Sequence, residues 1–351
     1  MTINIGSSSI SNIYIGDTAV KSVYLGDNLV YSRQTEPVIE IDDSYNYYVF
    51  DTSKVSGSTT VKLEDCRNSL GDTTTWDDRL TNWGDGTVDT SISHTYAEDG
   101  EYEVKTKHFV RAAQDYNTAL MLIKCLNINK NITDCSNLFW QCSNLTYINT
   151  SKFNTSKVTT MKQMFYGCNS LTSLDLSNWN TDSITNTTQM FAHCNKLKSL
   201  NLSNWTNSNL TNVTGMFAYC DKLVSLNLSN FNTENIIDMK SMFQYCTSLT
   251  SLDLSSFDTS KVTTMFSMFN GSALTSLDLS NFNVNKVTDM QNMFGDCSNL
   301  ISLNLSKWNM DNVINYKYML YGCANLTINN IIMTGCNDAT IAYIDREFNA
   351  K

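Results

Sequence analysis

From about residue 117 onward the apolar positions of this chain recur every 26 residues. Aligned on a Met-Phe pair, the units read Leu138-Phe139, Met164-Phe165, Met190-Phe191, Met216-Phe217, Met242-Phe243, Met268-Phe269, Met293-Phe294 and Met319-Leu320. One step is 25 residues, because a position is lost before Leu274. Each unit contains a Leu-x-x-Leu-x-Leu run, such as Leu171, Leu174 and Leu176, whose end alternates apolar and polar as a short strand with one buried face requires. Val158, Met161, Phe165 and Cys168 are spaced by three and four, which predicts one face of a short helix or helical turn. One such unit cannot bury its leucines alone, whereas stacked units cover each other's rows. The predicted fold class is therefore mostly β with short helices, with eight stacked coils from residue 117. Residues from about 328 lose the pattern and gain charge, as expected of a cap.

Two other patterns precede the array. Residues 38 to about 112 alternate in segments such as "NYYVFDT" and "EYEVKTKHFV" between turn residues, which predicts an antiparallel β-sandwich. Residues 3 to 31 hold a ten-residue repeat in which Ile5-Gly6, Ile15-Gly16 and Leu25-Gly26 recur with Ile10, Val20 and Val30, each copy a short strand and a turn. A segment this short buries no core, so it is expected to dock on another chain, to oligomerise, or to add a hairpin to the next domain. Pro37, the only proline, marks a boundary. The expected domains are 1–34, 35–116 and 117–351.

Each segment resembles a known family. Trp83, Gly84, Asp85, Gly86, His94, Tyr96, Gly100, Tyr102 and Val104 match the WGDG, HTY and G-x-Y-x-V pattern of PKD-type immunoglobulin-like domains. The array is similar to BspA-like leucine-rich repeats of the MF-x-x-C-x-x-L-x-x-L-D-L-S variety, which implies a leucine-rich-repeat solenoid of the kind displayed on bacterial surfaces. The decapeptide resembles small modules at the ends of phage tail and virion proteins. In the PKD-like segment, Asp85-Gly86 suits a tight turn, and Asp85 with Asp89 is too few oxygens for calcium, so turn stabilisation is favoured. His94 reads as a packed structural residue.

Composition narrows the chemistry. Lys+Arg 24 against Asp+Glu 34, a net charge of −10, opposes nucleic-acid binding. No apolar run approaches the ~20 residues of a membrane span, and the start "MTINIGSSSISNIYIG" has no secretory-signal pattern, so a cytoplasmically made chain is expected. Eleven cysteines without a CxxC pair exclude complete pairing and a zinc ribbon. Cys142, Cys168, Cys194, Cys220, Cys246, Cys297 and Cys323 share one slot, which Ser272 also fills. Stacked side chains point in parallel, so this column is expected to fill space as free thiols rather than bridge or bind metal. Phe153, Trp179, Trp205, Phe231, Phe257, Phe282 and Trp308 are expected to seal the core edge. Histidines lie scattered at 94, 108 and 193, and no nucleophile elbow, phosphate loop or carboxylate pair stands out, so no catalytic residue, metal or cofactor is expected.

The outward strand positions remain. Asp175, Asn201, Asn227, Asp253, Asp278 and Asn304, flanked by serines, form a polar column that suits hydroxyl-rich glycans; a sheet facing water needs polar side chains in any case, and both readings stay open. A second candidate is the ridge Tyr166, His193, Tyr219, Tyr245 and Tyr321 beside the cysteine slot, whose bland counterpart is ordinary ring exposure. Together these features suggest a non-enzymatic, phage virion-associated adhesion protein of tail, fibre or capsid decoration, made in the host cytoplasm. Residues 1–34 would hold it to other virion proteins or to further copies, and the solenoid would bind a host-surface glycan or protein. A BspA-type bacterial cell-surface adhesin and a purely structural virion component are the alternatives.

Overall fold

A computed structural model describes residues 46–65, 80–106, 115–127, 132–151 and 153–349, and the backbone of short strands within 14–32 and at 110–111. The chain forms two compact units, Met1–Asp42 and Asp43–Lys351. In the first unit β1 (Tyr14–Ile15) pairs antiparallel with β2 (Thr18–Ala19), and β3 (Ser22–Leu25) with β4 (Asn28–Ser32). These pairs fall on the second and third decapeptide copies. The first copy and Pro37 lie outside the described residues.

The second unit starts with β5 (Asn46–Asp51), β6 (Thr60–Lys62), β7 (Glu64–Asp65), β8 (Thr81–Asn82), β9 (Val88–Asp89), β10 (Ser93–Thr95), β11 (Glu101–Thr106) and β12 (Val110–Arg111). Helix α1 (Tyr116–Met121) follows, capped by the Asp115 carboxylate, which accepts from the Thr118 N–H at 2.9 Å. Strands β13 (Leu122–Asn127) and β14 (Tyr147–Ile148) complete a six-stranded sheet in the order β14-β13-β5-β11-β8-β9. The described strands also form two separate pairs, β6 with β10 and β7 with β12. β11 alternates at its end, burying Val104 and Thr106, whereas β5 is buried at every residue but Val49; Tyr48, Phe50 and Val104 share a core with Val61, Trp83 and Tyr96. Strand β13 is antiparallel to β5 and parallel to β14, so one sheet runs from the first strands into the repeats across residue 117.

In the array, parallel bridges join equivalent residues of successive coils: Asp134, Thr160, Asn186, Asn212, Asp238, Thr264, Asp289 and Asn315. The segment expected to be helical is instead a chain of turns. In one coil the N–H groups of Met161, Gln163, Phe165 and Gly167 donate to Asn186, Thr188, Met190 and Ala192 of the next coil at 2.8–2.9 Å. The intervening N–H groups of Met164, Tyr166 and Cys168 turn back to the carbonyls three residues earlier. An α-helix would send every amide to its own i−4 carbonyl; here every second amide points along the stack. The reversal needs left-handed backbone at two positions four apart, φ 56° at Gln163 and 73° at Gly167, and each later coil repeats the pair. Spacing by three and four still buries one face, because turn residues return to that face at the same interval.

This buried face is continuous. Phe139, Phe165, Phe191, Phe217, Phe243, Phe269 and Phe294 stack with centroids 5.5–5.8 Å apart and planes within 10°. The second aromatic column, from Phe153 to Trp308, is buried as expected. Trp205 and Trp308 donate their Nε1 protons to Leu176 and Leu279 carbonyls of the preceding coil.

The strand side is less regular. β15 (Ser173–Asp175) pairs in parallel with β16 (Ser199–Asn201), and β17 (Ser276–Asp278) with β18 (Ser302–Asn304). Among the described residues, no backbone hydrogen bond joins 225–227 or 251–253 to a neighbouring strand, although both carry the same Ser-Leu-Asx sequence. The turn side of these coils remains bonded, for example from Gly215 to Lys240 and from Ser241 to Phe266.

Beyond β18, β19 (Ile331–Ile332) extends the strand column and α2 (Asp338–Asn349) closes the end. The helix was not anticipated. Ile344 is buried, Tyr343 packs 4.5 Å from Tyr316, and the Thr340 hydroxyl accepts from the Met310 N–H while donating to the Trp308 carbonyl. Burial pushes the Glu347 carboxyl up, against the backbone N–H groups of Leu320 and Met319 that donate to it. Leu320 belongs to the last coil, where no following coil supplies a carbonyl, whereas the Met319 N–H also turns back to the Tyr316 carbonyl.

Candidate functional site

The six polar strand residues singled out above share one local task. Oδ1 of Asp175, Asn201, Asn227, Asp253, Asp278 and Asn304 accepts from the N–H of the serine two residues on, at 2.9–3.1 Å, and so closes the turn after each strand. Asn and Asp alternate freely here because both present that oxygen. Asp175, Asn227, Asp253 and Asp278 are exposed, and Asn201 and Asn304 are half-buried. The Ser177 N–H and side chain hold Asp175 below its ordinary pKa; Ser255 acts likewise on Asp253, and the Ser280 side chain and N–H on Asp278. These three are carboxylates at neutral pH.

Where strand pairing lapses, a recess of about 490 Å³ opens, lined by Ser225, Leu226, Ser251, Leu252, Asp253, Ser276 and Asp278. Leu226 and Leu252 are only partly buried, whereas Leu174, Leu200, Leu277 and Leu303 in the same slot are no more than 7% exposed. Sequence reasoning found the polar lining and missed both leucines. The one nearby signal is the 25-residue coil, which supplies Ser276 and Asp278.

The aromatic ridge is a ring stack rather than a row of open faces. Trp140, Tyr166, His193, Tyr219 and Tyr245 follow one another with centroids 4.4–6.4 Å apart. The face of Tyr245 away from Tyr219 lies on Gly271, where a Cβ would come within 2.5 Å of the ring. Apart from Tyr166 and His193, which are tilted by 59°, successive rings stack face to face, an arrangement poorly suited to sugar stacking. Tyr166 and Tyr321 occupy one slot, and His193, Tyr219 and Tyr245 the next, at φ 53–60°. Tyr321 stands outside the stack, against Tyr318. Burial holds His193 below its ordinary pKa, and the nearby Asp221 opposes that shift.

The cysteine column does more than occupy volume. Cys168, Cys194, Cys220, Cys246, Cys297 and Cys323 each donate Sγ–H to the phenylalanine carbonyl of the coil before, at 3.0–3.2 Å. Cys142, Cys168, Cys194, Cys220, Cys246, Cys297 and Cys336 are free thiols. Burial pushes the thiols up, to about 12 for Cys194 and Cys246, so they remain protonated donors. Ser272 lies 3.5 Å from the Cys297 sulfur and keeps the column polar at that slot.

In the first sheet, Asp85 Oδ1 accepts from the Thr87 N–H and its other oxygen contacts His94 Nε2 at 2.7 Å. Asp89 accepts from the Trp83 indole and the Ser91 N–H. Both carboxylates therefore organise turns, with Gly86 at φ 96°. His94 is more than packing, since it ties Asp85 while stacking on Trp83 at 5.3 Å. Among the described residues no group of three or more His, Cys, Asp or Glu could hold a metal ion, and no helix is long and apolar enough to cross a membrane.

No curated protein sequence matches the chain. Among solved structures it is similar to the Treponema pallidum leucine rich repeat protein TpLRR, at 17% identity and a TM-score of 0.31, over 59% of this chain and 84% of that one. A leucine-rich repeat protein from Bacteroides ovatus is similar at 16% identity and a TM-score of 0.37, over 70% of this chain and 67% of the other. A single family model matches twice, over residues 106–226 and 221–332, and these stretches take in all but the last part of the array. The chain therefore belongs to that family, described as Mycoplasma protein of unknown function, DUF285.

Proposed function

We propose that the protein is a non-enzymatic binding protein: a leucine-rich-repeat solenoid that presents its strand face to a glycan or protein on a host surface. A PKD-like domain would carry it, and residues 1–34 would attach it to a larger assembly. The reading rests on the division of side chains within each repeat. Phenylalanines, methionines, leucines, tryptophans and thiols are turned inward, while hydroxyls, amides and carboxylates repeat along the outside. Display on a phage particle is the preferred setting, because the decapeptide module resembles those of virion proteins. A bacterial cell-surface adhesin is the second reading, and membership of a family described from Mycoplasma favours it. Neither setting calls for a metal, a cofactor, nucleic acid or membrane insertion.

The full chain applied to a glycan array and to immobilised bacterial envelope proteins tests this reading. Saturable binding to one of them is expected. A chain that binds neither, yet assembles stoichiometrically with virion proteins, has only a structural role.

A further inference from the structure

We propose that the recess over residues 225–278 is the saccharide-binding subsite of the array, and that its ligand is a short glycan without negative charge. This deepens the reading above and rests on it. The recess combines three features found together nowhere else along the described strand column. Backbone N–H and C=O groups at 225–227 and 251–253 have no strand partner, two leucines are partly uncovered, and exposed carboxylates lie beside them. Its volume, about 490 Å³, falls in the usual ligand-site range of roughly 300–1,000 Å³.

The chemistry selects the occupant. Ser225, Ser251 and Ser276 hydroxyls both donate and accept, as vicinal sugar hydroxyls do. Asp253 and Asp278, each holding the turn behind it through Oδ1, are exposed carboxylates that add charged acceptors, Asp278 also meeting the Asn304 side chain. Leu226 and Leu252 supply an apolar floor for the C–H face of a sugar ring. An added peptide strand does not fit, because turn-side bonds such as Met239 to Thr264 hold these coils at consecutive spacing, whereas an inserted strand needs a further ~4.8 Å. Two ionised carboxylates on a chain of net charge −10 disfavour sialylated or sulfated glycans.

Titration calorimetry of the full chain with maltotriose, a glucosamine trisaccharide, sialyllactose and trilysine provides the test. The double variant Asp253→Asn with Asp278→Asn removes both charges and keeps the turns, since Asn227 closes the same turn with its amide oxygen. Glu98→Gln, which removes one exposed charge outside the array, is the control. Expected are binding of at least one of the first two sugars, none of sialyllactose, a loss of about tenfold or more in the double variant, and no change in the control. Ser251→Tyr, which fills the recess from an exposed position, should abolish binding, and an unchanged melting temperature excludes unfolding as the cause. Trilysine as the sole ligand would make the recess a basic-peptide site and overturn the proposal. Sugar binding that ignores the double variant and Ser251→Tyr would overturn this subsite while leaving the array's binding role intact. Failure of every sugar, here and on the glycan array, would overturn the subsite, and the binding role of the array would then stand or fall with the envelope proteins.

Discussion

The turn side and the strand side of the array are built from equally regular sequence, yet only the turn side is bonded through every coil. The turn segment at 213–220, for example, sends four amides to the next coil, stacks Phe217 on Phe191 and donates the Cys220 thiol proton to the Phe191 carbonyl. A strand segment has three residues, of which one side chain faces inward. With so few bonds to lose, strand pairing can lapse at 225–227 and 251–253 while the turn ladder holds the coils in place. Rigidity and accessibility are thereby separated within one 26-residue unit.

Alkali gives the largest expected effect on this contrast. Unfolded thiols ionise near pH ~8.5, whereas burial holds Cys194 and Cys246 protonated until about 12. With the folded pKa raised, the stabilisation is complete below about pH 8.5 and is lost as pH climbs toward the folded value, roughly 2 kcal/mol per thiol by pH ~10. Thermal melts at about pH 8 and about pH 10 should show the array collapsing at the higher pH. An unshifted melt would mean that the thiol column is not buried.

Next in size is Phe217→Ala, which opens the ring stack and should cost ~3–5 kcal/mol in denaturant unfolding. A cost below ~1 kcal/mol would show that the stack is not continuous. Cys220→Ala removes both volume and the bond to the Phe191 carbonyl, so a loss of ~1–3 kcal/mol is expected. Cys220→Ser should cost less, because Ser272 shows that a hydroxyl fits this slot. Equal losses would leave volume alone as the role of the thiol. The smallest effect concerns the strand side. Amides of Leu226 and Leu252 should exchange with deuterium much faster than those of Phe217 and Phe243, which donate to Met242 and Met268. Equal protection would close the gap on which the recess depends.

Several features were legible before the structure. The period, the inward leucines, the buried aromatic columns and the free thiols follow from side-chain pattern, because stacked copies leave each slot the same environment. The Asx turns were hidden in plain view: Asn and Asp at the strand ends looked like ligand groups, and their first task is local hydrogen bonding to Ser177, Ser203 and Ser229. The expected helical face became a chain of turns because a spacing of three and four does not distinguish a helix from turns that return to the same face. Left-handed backbone at Gln163, His193 and Tyr219 carries no signal in residue type. Glycine at 167 was the only local hint in that coil.

Local pattern was therefore enough to specify which side chains enter the core and that coils must stack, since burial of a repeating apolar face depends on identity and spacing alone. It did not specify where neighbouring strands stay paired. Ser225-Leu226-Asn227 and Ser199-Leu200-Asn201 are the same three residue types, yet one lines an open recess and the other lies in a bonded sheet. Pairing across coils depends on how whole coils sit against each other, including a unit one residue short, and that information is distributed over distant residues.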